Sequence, residues 1–150
     1  MPAERTIREA GITLPEPPSA GGNYVAAKTV GNLVFLAGVI STSDEGVIAG
    51  TVGVNRTVEE AYAAARACAL TQLAVLRRHI GSLDTIAQIV SVNGYVNAAP
   101  NFPDSPKVIN GASDLLIEIF GEGGRHTRAA IGVSALPQNA LVEVQMVVEI

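Results

Sequence analysis

The segment from Thr57 to Gly81 constrains the fold of this chain more than any other. Thr57 suits an N-cap and Glu60 stands three residues later, the reciprocal pair of a capping box. Ala61, Ala65, Cys68, Ala69, Leu73, Leu76 and Ile80 then recur at helical spacing. Arg77, Arg78 and His79 fill the last turn, where cations complement the helix dipole, and Gly81 supplies the stop. The spacing predicts one long helix. Its apolar stripe is rich in alanine, so it must lie very close to the surface that covers it, and a sheet provides such a surface.

The flanking sequence supplies strands. NYVAAKTVGNLVFLAGVIS reads as two short strands, 24–29 and 32–40, turning at Gly31-Asn32. The second is apolar on both faces and is expected to be central. In TIAQIVSVNGYVN, Ile86, Val90, Val92 and Val96 fall on one face, with Ser91, Asn93 and Asn97 on the other. A second helix is expected from Ser105-Pro106, with proline at its first position, to Gly121. Two apolar strands, turning near Pro137-Gln138, close the chain as a hairpin. The order β-β-α-β-α-β-β is an α+β domain with both helices on one face of a sheet. The 150 residues are expected to form a single domain, with residues 1–20 an irregular lead-in running on into the Pro- and Gly-rich stretch 11–23.

That arrangement leaves one sheet face bare, and here composition matters. Charged residues are 16% and apolar ones 48%, against a usual charged share of about 25%. So few charges barely cover a monomer, which points to an oligomer. The net charge is −4, the cations are scattered and tryptophan is absent. Neither the basic face nor the stacking aromatics of a nucleic-acid binder are visible. No stretch is apolar enough to span a membrane, the first residues lack a signal-like apolar core, and the single Cys68 excludes an intrachain disulfide. A cytoplasmic protein is expected. No His/Cys/Asp group has metal-ligand spacing, and no cofactor is implied.

The closing strands carry the candidate chemistry. Val142, Val144, Met146, Val148 and Ile150 make one apolar face; Glu143 shares the other with Gln145 and Glu149. Arg128 shares its face with Ala130, Gly132 and Ser134, small neighbours that leave room for a ligand. In an ideal hairpin Glu143 faces Gly132, which sets it about four residues, roughly 13 Å, from Arg128. The two would then flank one cleft. His126, just ahead of Arg128, is expected at solvent or an interface, and Cys68 in the core.

The spacing T-R-A-A-x-G-V-x-x-L-P-x(5)-V-E-V resembles the C-terminal signature of the Rid, or YjgF-type, family of reactive-intermediate deaminases, and the likeness extends over residues 20–150. Tyr24 in GNYV, Gly38 in FLAGVIS and Asn110 in KVINGASDLL match further family positions in order. The resemblance implies a chorismate-mutase-like fold, a homotrimer with clefts between subunits, and hydrolysis of 2-imino or enamino acids such as 2-aminoacrylate to a 2-keto acid and ammonia. Arg128 would hold the substrate carboxylate and Glu143 would position water, with Tyr24, Gly38, Asn110 and Ala130 lining the pocket. Many members carry cysteine where this chain has Ala130, and often serine where it has Ala37, and the stretch NAAPNFPDSPK is expanded. These departures imply a subgroup whose substrate differs. The same cleft also suits a non-catalytic carboxylate binder or a chaperone-like trimer. An endoribonuclease, an older label for the family, fits the acidic balance poorly. A chorismate mutase would want more cations than Arg128 and Arg125.

Overall fold

The computed structural model describes residues 2–150. The lead-in is not irregular throughout: Ala3–Glu9 form a short helix, α1. The alternation of apolar Ala3 and Ile7 with polar residues buries both against the body. Glu4 fixes the helix, accepting from the Arg77 guanidinium at 2.6 and 3.2 Å and from the Leu83 amide at 3.0 Å. Arg77, expected only to complement a helix terminus, thus also anchors the N-terminal segment.

The long helix is α2, Val58–Ile80, and its capping box is formed: Thr57 Oγ1 accepts from the Glu60 amide, and the Glu60 carboxylate accepts from the Thr57 amide. Gly81 ends it at φ +90°. Ala61, Ala64, Ala65 and Ala69 are fully buried. The second helix, α3, spans Ser105–Phe120. A side chain on its Gly111 would strike the backbone carbonyl of Tyr62, so the two helices touch backbone to backbone.

Both helices cover one face of a mixed sheet. Its strands are β1 Ala27–Val30, β2 Leu33–Leu36, β3 Val39–Ile40, β6 Gln88–Asn97, β7 Thr127–Val133 and β8 Val142–Glu149; β4 Thr42–Ser43 and β5 Gly46–Val47 form a separate small ladder. The order is β1-β2-β8-β6-β7, with β3 also on β8. The early strand expected over 32–40 is therefore broken. Phe35 pairs with Val147 and Val39 with Val144, so four steps along this chain oppose three on β8. The extra residue is a bulge at Ala37–Gly38. A second irregularity between Ile89 and Ser91 turns Val90 out of the face predicted for it and puts Ile89 in.

The closing hairpin is not formed. β6 lies between β7 and β8, parallel to the first and antiparallel to the second. The chain β6-α3-β7 is a parallel crossover, which needs a connecting helix of this length. The link from β7 to β8 then passes over the end of β6. Buried Asn97 holds it there, donating to the Ala140 carbonyl at 3.1 Å and to Asn139 Oδ1 at 3.2 Å. A local turn signal around Pro137 could not disclose that a third strand would intervene.

Opposite the helices the sheet is uncovered. Val30, Phe35 and Ile131 are 58%, 44% and 50% exposed on this face.

Candidate functional site

Residues paired across a sheet point to the same side, so the register places each predicted side chain. Arg128 pairs with Val92 and through it with Met146, on the helix side. Glu143 pairs with Tyr95, which pairs with Ile131, on the bare side. The two are two strands and three residues apart, roughly 14 Å, and on opposite faces. One chain does not bring Arg128 and Glu143 to a common cleft, because the hairpin that would have done so is interrupted by β6.

Each residue instead anchors its own candidate half-site. Around Glu143 lies a cleft of about 770 Å³ that reaches round the free edge at β3 from the bare side to α2, walled by the lead-in at Pro18–Gly21 and Tyr24, the bulge at Ala37–Gly38, Thr71 and Val75 of α2, and the turn at Pro137-Gln138. Among the described residues no lysine or arginine lines it. Glu143 is half-buried, and loss of solvent pushes its carboxyl above the usual range. Gly38 lets the carboxylate rest against the bulge: a Cβ there would sit 2.5 Å from Glu143 Oε2, and the carboxylate would have to move aside. Tyr24 is half-exposed, and its hydroxyl accepts from the Gly21 amide at 3.0 Å, which folds the lead-in over the cleft mouth. Arg78 donates to the carbonyls of Pro17 and Pro18 behind it.

The other half-site is built where α3 crosses β7. Arg128 Nη1 donates to Asn110 Oδ1 at 2.7 Å and to Ser113 Oγ at 3.2 Å. Asn110 and Ser113 lie three residues apart on α3, hence on one face of that helix. No carboxylate lies within ion-pairing distance of Arg128 among the described residues. The guanidinium has five N–H donors, and these two acceptors take only from Nη1. An aimed and uncompensated cation of this kind suits an anionic ligand. Ala130 and Gly132 continue the same face of β7 and keep it low. His126 is not simply solvent-facing. Burial, and secondarily the nearby Arg128 charge, lower its pKa; Nδ1 lies 3.0 Å from the Thr127 carbonyl and Nε2 is enclosed without a partner.

The structure thus joins Tyr24, Gly38 and Glu143 in one half-site, and Asn110, Arg128 and Ala130 in the other. Ser113 went unnoticed in the sequence; its spacing from Asn110 was the available signal. Cys68 is buried on α2 and its thiol is pushed up by burial, so it is no nucleophile. No cluster of His, Cys, Asp or Glu among the described residues is arranged to hold a metal ion. No helix is long and apolar enough to cross a membrane.

Comparisons with known proteins agree with this fold. Residues 4–150 match the family model described as "YjgF/chorismate_mutase-like, putative endoribonuclease". Protein TCP17 of Trypanosoma cruzi is 40% identical over 146 residues, 96% of this chain and 91% of that protein. A 2-iminobutanoate/2-iminopropanoate deaminase of Dermatophagoides farinae is 29% identical over 93% of this chain and 94% of its own length. The crystal structure of a "putative endoribonuclease" from Shewanella oneidensis MR-1 superposes with a TM-score of 0.93 at 37% identity, covering 99% of both chains. A model that matches from residue 4 to residue 150, together with the mixed sheet and its two covering helices, settles the family: this chain belongs to the YjgF/chorismate-mutase-like family.

Proposed function

We propose that this chain is a hydrolytic deaminase of reactive 2-imino and enamino acids, and that it works as a homotrimer with its clefts between subunits. The observation that carries the reading is the separation of Arg128 and Glu143 onto opposite faces of one sheet, each in a half-site lacking what the other supplies. Packing the bare face, with Val30, Phe35 and Ile131, against neighbouring copies covers exposed apolar surface, and because β7 is an edge strand its Arg128 stands where the next copy's Glu143 can meet it. The relative from Dermatophagoides farinae, named for deamination of 2-iminobutanoate and 2-iminopropanoate, supports the reaction class.

In this reading Arg128, held by Asn110 and Ser113, grips the substrate carboxylate in a bidentate charge-assisted pair. That fixes the adjacent C=N bond. Water adds to the imine carbon as Glu143 takes the proton that the water loses and passes it to the nitrogen, giving an amino alcohol. The raised pKa of a desolvated carboxyl makes it a stronger base than an exposed glutamate. Collapse of the amino alcohol releases ammonia and leaves the 2-keto acid, so one water is consumed per imine. An imine is already electrophilic, and orientation plus one base suffice. Ala130 shapes the pocket through its backbone and small size, and Tyr24 and Gly38 bound it on the glutamate side. The acidic balance and the reduced state expected of a lone buried cysteine suit the cytoplasm.

The test generates imino acids from a panel of amino acids with an amino-acid oxidase and traps the survivors with semicarbazide. Wild-type protein should deplete the trapped imine, and Arg128→Ala should not. Equal trapping with both, from folded and oligomeric protein, would reject the deaminase and favour a non-catalytic binder of small carboxylates.

A further inference from the structure

Gln72 is the most unusual residue in the core of α2. Its neighbours on the buried stripe are Cys68, Ala69, Leu73 and Leu76, yet Gln72 is fully buried too. Its Nε2 donates to the Ala37 carbonyl at 2.8 Å and to the Val144 carbonyl at 2.9 Å. Its Oε1 is enclosed without a partner. Burying an amide with one end unsatisfied costs free energy that an aliphatic side chain would avoid. The two carbonyls explain why it is there. Ala37 immediately precedes Gly38, and Val144 immediately follows Glu143. One amide therefore ties together the two backbone segments whose contact defines the glutamate half-site, where Gly38 lies against the carboxylate.

The tie is needed because of the bulge. An extra residue between β2 and β3 leaves carbonyls that the ladder cannot satisfy. Gln145 Nε2 takes that of Leu36 at 3.0 Å, and Gln72 takes that of Ala37. Bulges re-aim side chains beside sites, and a local rule broken at some cost is expected where function requires it. We propose that Gln72 is the positioning residue for Glu143: through Ala37 and Val144 it fixes the bulge against which the carboxylate rests and keeps solvent from it. The proposal rests on Glu143 being the working base of the reaction above, but its geometry can be tested without turnover. The titratable groups facing Glu143 are few. Cys68 lies across on α2, Tyr95 opposite on β6 and Tyr24 on the lead-in; β3 and the bulge offer none.

The experiment follows the Glu143 carboxyl by carbon NMR through a pH titration, assigned by its loss in Glu143→Gln. Gln72→Met keeps the volume and removes both donors. Gln72→Asn keeps an amide but retracts it by one methylene. Leu116→Ala, on α3 and fully buried, creates a cavity away from the cleft and controls for general destabilisation. Both Gln72 variants should titrate at lower pH than wild type as water reaches the carboxylate, whereas Leu116→Ala should not. Imine turnover should fall roughly tenfold in kcat with KM little changed, the mark of a misplaced base and not of lost binding. If the methionine variant does not fold, the asparagine variant carries the comparison. Unchanged Glu143 titration in a folded Gln72 variant overturns the proposal, as does an equal shift in Leu116→Ala. A shift in the Gln72 variants of a protein that hydrolyses no imine sustains the positioning role and removes the deaminase.

Discussion

The proposed division of one site between two faces makes a sharp prediction about mixed oligomers. Within one chain, three residues along the strands and two strands across separate Arg128 from Glu143 by roughly 14 Å, with the sheet itself between them. A small imino acid held by its carboxylate presents its imine carbon within a few ångströms of the guanidinium, and attacking water must sit about 3 Å beyond that. The chain's own Glu143 cannot reach that water. Arg128→Ala should lose turnover roughly 100-fold through its carboxylate anchor, and Glu143→Ala by roughly 100-fold or more through its base. Co-expression of the two variants should restore activity. In a ring trimer an intact cleft needs arginine from a Glu143→Ala chain and glutamate from an Arg128→Ala chain. Random equal mixing makes about one cleft in four intact, so about a quarter of wild-type activity should return. The assay is the semicarbazide trap, run on each variant alone, on the purified mixture and on wild type, with the subunit ratio checked by mass. Mixed trimers no more active than the sum of the separate variants would refute the argument that one cleft draws on two copies.

Other substitutions probe single links. Glu143→Gln should be more stable than wild type at neutral pH: burial raises the folded-state pKa of Glu143, so the ionised form is penalised in the folded state. That advantage should shrink as pH falls through the raised value and vanish below the ordinary carboxylate range, which urea unfolding at several pH values would reveal; a gain independent of pH would contradict it. Gly38→Ala should displace the Glu143 carboxylate and lower kcat while costing little stability, because the atom it meets is the end of a flexible side chain that can swing aside; wild-type kinetics in that variant would mean the contact is slack. Thr57→Ala removes the α2 cap and should cost about 1 kcal/mol in urea unfolding without altering KM, because Thr57 lies outside both half-sites.

Much of the fold was legible because its signals are local. The limits of α2 follow from Thr57, Glu60 and Gly81, whose effects act within one turn of the helix, and the start of α3 follows from Ser105-Pro106 in the same way. The apolar faces of β8 and most of β6 follow from a two-residue period. The short helix at Ala3–Glu9 was not legible, since its stability comes from Glu4 meeting Arg77 and Leu83, far away in the chain. Nor was the bulge at Ala37–Gly38, because a continuous apolar run looks the same whether or not its partner strand is one residue shorter.

The candidate residues divide along the same line. Arg128, Glu143, Tyr24, Gly38, Asn110 and Ala130 could all be named from their order and spacing. Their grouping could not. Whether Arg128 faces Glu143 depends on which strand lies between them, and that is decided by a crossover helix and by Asn97 holding the link across the end of β6. The sequence by itself determined which residues are apolar, capped, charged or small, because those properties belong to each residue and its near neighbours. Only the tertiary structure decided that the arginine and the glutamate stand on opposite faces, because strand order is a long-range outcome of packing the whole sheet beneath two helices.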